Sequence, residues 1–136
     1  MENLVIQGTR YEYDFPSVHF NAETGECEIS GESYLEKTAE FYDRLLEWLD
    51  RFMNEVRKPI KFNFKLTYFN TSTSKRLLHI MIKLREYVDK GGSVTANWYY
   101  HPDDIEIEED VEDLRSIAKL DVNVIPDPNI KFDPFN

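Results

Sequence analysis

The chain is poor in cysteine, in basic residues and in long apolar runs. Cys27 stands alone among 136 residues, so no intrachain disulfide can form and a cysteine-based metal cluster is excluded. Its neighbours Glu26 and Glu28 raise a thiol pKa and disfavour a reactive role. Lysine and arginine total 16 against 26 aspartates and glutamates, a formal charge of −10. Phosphate backbones need a basic face, so no nucleic acid is expected as a partner, nor an anionic membrane surface. No apolar run approaches the length of a membrane span. The start, MENLVIQGTR, lacks a basic n-region, a long apolar stretch and small cleavage residues. No secretory signal is expected from it, and the cytoplasm is the expected compartment. Catalytic signatures are missing too. His19, His79 and His101 are far apart, with no His-x-x-x-His, glycine-rich phosphate loop or nucleophile elbow around them. No cofactor and no metal are expected, and the chain is not expected to be an enzyme.

What is present is enough for one folded domain. Hydrophobic residues make up 41% and aromatics 14% of the chain. Residues 2–14 alternate loosely and predict one or two short extended pieces. Residues 16–20 and 26–30 predict a hairpin in which Gly25 takes the positive-φ position. Ser33 followed by Glu36 matches a capping box, predicting a helix from there to about Val56. Its stripe is Leu35, Phe41, Leu45, Leu46, Trp48, Leu49, Phe52 and Met53. Residues 60–69, IKFNFKLTYF, alternate cleanly as a strand, with Ile60, Phe62, Phe64, Leu66 and Tyr68 on one face. A second helix follows and stops at Gly91-Gly92. Leu77, Leu78, Met81, Leu84 and Val88 form its stripe, widened by Ile80, Ile82 and Tyr87, and His79 is expected to be partly packed. Residues 93–100 predict a strand. Residues 105–118 predict an acidic helix with Ile105, Val111, Leu114 and Ile117/Ala118 inward, and its carboxylates are read as a solvated face. Residues 121–125 predict a last strand. The expected fold is α/β: one mixed sheet with an N-terminal antiparallel hairpin, backed by three helices. The domain is expected to span residues 1–126, and residues 127–136 a proline-containing extended tail.

Chemistry concentrates between strand 60–69 and the helix after it. Asn70, Thr71, Ser72, Thr73, Ser74 and Lys75 place four hydroxyls in a predicted turn at a strand's carboxyl end, where ligands gather in open α/β sheets. Asn, Ser and Thr are ordinary helix caps, so capping accounts for one of them. The surplus fits a phosphorylation site, because a helix start offers free N–H groups and the positive end of the dipole. Lys75 lies one turn after Thr71. Two rival readings stay open. One is a small hydrolase or transferase with a turn hydroxyl as nucleophile, which needs His79 or His101 as base. The other is a constitutive adaptor domain.

The segment Leu66-Thr67-Tyr68-Phe69-Asn70-Thr71-Ser72-Thr73-Ser74-Lys75 resembles the hallmark of the SiaC family of bacterial regulatory phosphoproteins. So do Ile6-Gln7-Gly8-Thr9, Gly31-Glu32-Ser33-Tyr34, Gly91-Gly92 and Trp98-Tyr99-Tyr100, in that order. The chain departs at Thr73, where the family often carries serine. The resemblance implies a fold like the STAS-type anti-sigma-factor antagonists. It implies reversible phosphorylation of Thr71 by a Ser/Thr kinase of the histidine-kinase-like ATPase type, reversed by a PP2C-type phosphatase. It further implies that the unphosphorylated form binds and regulates a partner such as a diguanylate cyclase, in cyclic di-GMP and biofilm control. Residues 70–75 would then form the partner-binding segment.

Overall fold

Strand β4, Ile60–Phe69, forms where the alternation predicts it, and the sheet is built outward from it on both sides. The computed structural model describes residues 1–8, 15–35 and 38–132. Part of the predicted N-terminal extended region, Thr9, Glu36 of the predicted capping box and the last four tail residues lie outside the described residues. Strands β1 (Leu4–Ile6), β2 (Ser17–Phe20), β3 (Glu26–Ser33), β4, β5 (Val94–Tyr100) and β6 (Val122–Pro126) lie side by side in chain order. The first three pair antiparallel, and β3 through β6 pair parallel. Gly25 turns the β2–β3 hairpin at φ +77°, and a Cβ there would collide with the Pro59 carbonyl.

Helices α1 (Ala39–Arg51), α2 (Thr71–Asp89) and α3 (Ile105–Ala118) each cross between neighbouring parallel strands. Right-handed crossovers between successive neighbours place all three on one face. The burial of β4 agrees, since Ile60, Phe62, Phe64 and Leu66 are buried while Lys61 is exposed and Asn63, Lys65 and Thr67 are half-buried. Within the helical layer, Arg76 of α2 pairs with Asp43 of α1, and Arg85 donates to the Lys119 carbonyl beyond α3. The opposite sheet face is polar. There Asn97 donates to Asn63, Asn123 donates to Asn97, and Lys65 pairs with Glu28 at 2.7 Å.

Several expectations need correction. Ser33 caps no helix. It is the last residue of β3, paired with Phe69, and α1 begins six positions later at Ala39 with Thr38 before it. Local sequence satisfied the capping-box pattern, but strand pairing claimed Ser33 first. The predicted end at Val56 stands, with residues Phe52–Val56 widened to π-helical geometry and Arg57 left-handed after them. Tyr42, absent from the expected stripe, is fully buried on α1. On α2, Ile82 and Val88 are exposed, and so is His79, leaving Leu77, Ile80, Met81, Leu84 and Tyr87 as the buried set. On α3 the inward residue of the first turn is Ile107, while Ile105 and Ile117 are 65% and 63% exposed.

Candidate functional site

The end of β4 is shaped by an irregularity in the ladder. Gly31 pairs with Leu66, but the next residue, Glu32, pairs with Tyr68, so Thr67 is an extra residue on β4. The alternation therefore changes face. Tyr68 swings outward, and Phe69 turns back against Trp98, ring centroids 5.6 Å apart.

The six predicted residues do not form a turn. Asn70 alone is extended, at φ −84° and ψ 176°, and α2 starts at Thr71. Asn70 is also the cap, its Oδ1 accepting from the Thr73 N–H at 2.9 Å. Its Nδ2 donates to the Leu35 carbonyl at 2.9 Å, and its own N–H to the Ser33 carbonyl at 3.2 Å. Asparagine here joins the end of β3, the approach to α1 and the start of α2.

The four hydroxyls separate by direction. Thr73 is fully buried, with Oγ1 2.7 Å from Ser33 Oγ, which lies 3.0 Å from Tyr42 Oη. This closed hydroxyl network satisfies three buried polar groups at once. Burial, opposed in part by the hydroxyls of Ser33 and Thr73, pushes the Tyr42 phenol up to about 12. Ser72 is half-buried, with Oγ 3.0 Å from Thr38 Oγ1, toward which Arg76 Nε also points at 3.4 Å. Ser74 is half-buried, and Lys75 is exposed. Thr71 is exposed at the first helical position. Among the described residues its hydroxyl has no hydrogen-bond partner, and the N–H groups of Thr71 and Ser72 have no acceptor. The segment is thus not one continuous binding strip. Thr73 belongs to the core, Ser72 to the α1 contact, and Thr71 and Lys75 to the surface. Thr38 and Tyr42 were missed by sequence reading and Ser33 was read as a helix cap, since nothing in their local pattern signals contact with a helix start some 30 to 40 positions away.

Among the described residues no imidazole accompanies these hydroxyls. His79 is exposed on α2, and His101 stacks on Phe132 at 5.2 Å with its Nδ1 accepting from the Asp103 N–H. Among the described residues no imidazole hydrogen-bonds to a hydroxyl of Thr71, Ser72, Thr73 or Ser74, so the nucleophile reading lacks its second component. Cys27 is buried, and burial, then Glu26, pushes its thiol far above the ordinary range. No helix of the described residues is long and apolar enough to cross a membrane.

A family model for SiaC family regulatory phosphoproteins matches residues 6–127. An uncharacterized protein of Pseudomonas aeruginosa strain UCBPP-PA14 is 28% identical over 115 residues, covering 85% of this chain and 89% of that one. The crystal structure of apo-SiaC from Pseudomonas aeruginosa superposes with a TM-score of 0.79 at 26% identity, covering 92% of this chain and 99% of that one. A chain in the crystal structure of diguanylate cyclase SiaD in complex with its activator SiaC, from the same organism, gives a TM-score of 0.83 at 25% identity, covering 91% and 99%.

Proposed function

The chain belongs to the SiaC family of regulatory phosphoproteins, and on that premise we propose that it is a non-enzymatic cytoplasmic switch set by phosphorylation of Thr71. Unphosphorylated, it docks and regulates a partner protein through the exposed start of α2. The class of partner supported by the SiaD–SiaC structure is a diguanylate cyclase. A Ser/Thr kinase of the histidine-kinase-like ATPase type writes the mark, and a PP2C-type phosphatase removes it.

One observation carries the reading. Asn70 performs the cap, which leaves the Thr71 hydroxyl exposed and uncommitted. Thr71 can therefore gain a phosphate without dismantling the helix start. In the transfer, Thr71 Oγ1 bonds the γ-phosphorus of ATP, the bond to the bridging oxygen breaks, ADP leaves, and the hydroxyl proton goes to the kinase's base. The phosphate adds about −1.5 to −2 charge beside the free N–H groups of Thr71 and Ser72 and within reach of Lys75. Its bulk and bound water then occupy the surface that a partner must cover.

Incubation with the kinase and ATP is expected to add a single phosphate, absent in Thr71→Ala. Mass spectrometry placing it on Ser72 or Ser74 would end the assignment. Thr71→Asp is expected to weaken the partner complex about tenfold, the scale of a 1.4 kcal/mol loss. Unchanged affinity by calorimetry would favour a constitutive adaptor instead.

A further inference from the structure

The same end of the sheet holds a cleft that this reading leaves unused. Pairing between β4 and β5 ends at Phe64 and Trp98. Beyond that point residues 67–69 part from β5, and a cleft of about 400 Å³ opens between them and the first turns of α3. One wall is aromatic. Tyr34 and Tyr68 stack with centroids 4.3 Å apart and planes 18° from parallel, and they remain 40% and 42% exposed. Both sit in motifs singled out in the sequence, and neither serves the core. The other lining is acidic, with Glu32 at the end of β3, Asp104 just before α3, and Glu106 and Asp110 on it. Asp104 is committed to capping α3, accepting from the Ile107 N–H. Glu32, Glu106 and Asp110 have no ion pair among the described residues, Lys131 of the same lining included. Burial and the surrounding carboxylates, Asp113 and Glu106 foremost, raise the Asp110 pKa, as expected where negative charge is uncompensated.

Charge and shape together specify the occupant. Among the described residues no three acidic, histidine or cysteine side chains converge as a metal site would require, so the carboxylates line a wall and do not cage an ion. A flat cation suits an exposed tyrosine face beside spread carboxylates, and guanidinium stacks on aromatic rings while donating along its edge. Phe69 lines the cleft and leads through Asn70 into Thr71, so whatever fills it lies beside the proposed switch. We propose that the cleft receives an arginine side chain of the partner protein, stacked on the Tyr34–Tyr68 pair and donating to Glu32 and Asp110. The occupant rests on the switch reading, while the chemistry of the cleft does not. The anchor residues are distinct from Thr71, so the two can be varied separately.

The test titrates the full isotope-labelled chain with acetyl-arginine amide, its neutral isostere acetyl-citrulline amide, acetyl-lysine amide and magnesium or calcium chloride, followed by NMR. Saturable shifts are expected at Tyr34, Tyr68 and the first turns of α3. The arginine compound should bind about tenfold more tightly than citrulline, the joint scale of one cation–π contact and an exposed ion pair. Lysine should fall between them. Tyr68→Leu and the pair Glu32→Gln/Asp110→Asn should each abolish that preference with the remaining spectrum unchanged, which shows that the fold persists. Equal binding of citrulline, shifts that do not saturate, or the same shifts from the metal ions would overturn the cleft chemistry. A partner that binds wild type and these variants equally would overturn the occupant. If instead Thr71→Asp leaves partner binding unchanged while the cleft variants weaken it, the switch fails and the anchor stands.

Discussion

Thr73 and Thr71 are two residues apart and chemically identical, yet one is core and the other surface. Composition could show that hydroxyls were in surplus at this junction, but not which of them the scaffold uses. That decision is made by Ser33, which arrives from β3 through its pairing with Phe69 and presents its hydroxyl to Thr73. The same pairing is why Ser33 caps no helix despite its local capping-box pattern. Tyr42 completes the network, and its titration is measurable. The phenol ionises near 10 in the unfolded chain and near 12 in the folded one. Folding stability from this group is therefore complete below pH 10 and is lost as pH rises through 12. The loss is about 3 kcal/mol at most, two pKa units at 1.36 kcal/mol each. Alkaline denaturation of Tyr42→Phe should show a correspondingly shallower decline over that window. An unchanged profile would mean that Tyr42 is not the group responsible.

At the scale of elements, β4 was legible to the residue and α2 at its end, whereas the start of α2 falls at Thr71, inside the predicted turn. Clean two-residue alternation announces β4, and Gly91-Gly92 announces the end of α2, with Gly91 at φ +96°. What local pattern could not show is anything set by a neighbouring strand. The extra residue at Thr67 is visible only once β3 is in register, and it alone turns Tyr68 out of the stripe to which alternation assigned it. The acidic helix failed in a similar way, since Ile105 and Ile107 are both apolar and only docking distinguishes them. The start of α2 is where element and site meet, because Asn70 holds it by three hydrogen bonds. Asn70→Ala removes the cap, worth about 1 kcal/mol, and strands the Leu35 carbonyl, worth about another 1 kcal/mol. Thr71→Ala removes no contact and should stay within about 0.5 kcal/mol of wild type. Urea denaturation of the two variants separates them. Similar losses in both would return the capping role to Thr71 and weaken its candidacy as a free acceptor.

Over the whole molecule, charge sets folding and association against each other. Ion pairs such as Lys65–Glu28, Arg115–Glu112 and Lys83–Asp50 lie at the surface, where each contributes about 0–1 kcal/mol and is screened by salt. Against them stands a formal charge of −10, concentrated where α3 carries Glu106, Glu108, Glu109, Asp110, Glu112 and Asp113 within two turns of one another. Self-repulsion of that excess acts over the whole surface, while each pair acts locally, so repulsion outweighs the pairs at low ionic strength. On the proposed reading, the same field would draw a basic partner toward the cleft and the start of α2, accelerating encounter without altering the contacts made after docking. Raising salt from about 0.01 to about 0.1 M shortens the screening length from about 30 to about 10 Å. Thermal stability is expected to rise across that range while the association rate with the partner falls and its dissociation rate changes little. Calorimetric melting and stopped-flow association on the same buffer series read both. A melting temperature that falls with salt would mean that the surface ion pairs outweigh the net charge. An association rate indifferent to salt would mean that the acidic end of the sheet does not face the partner.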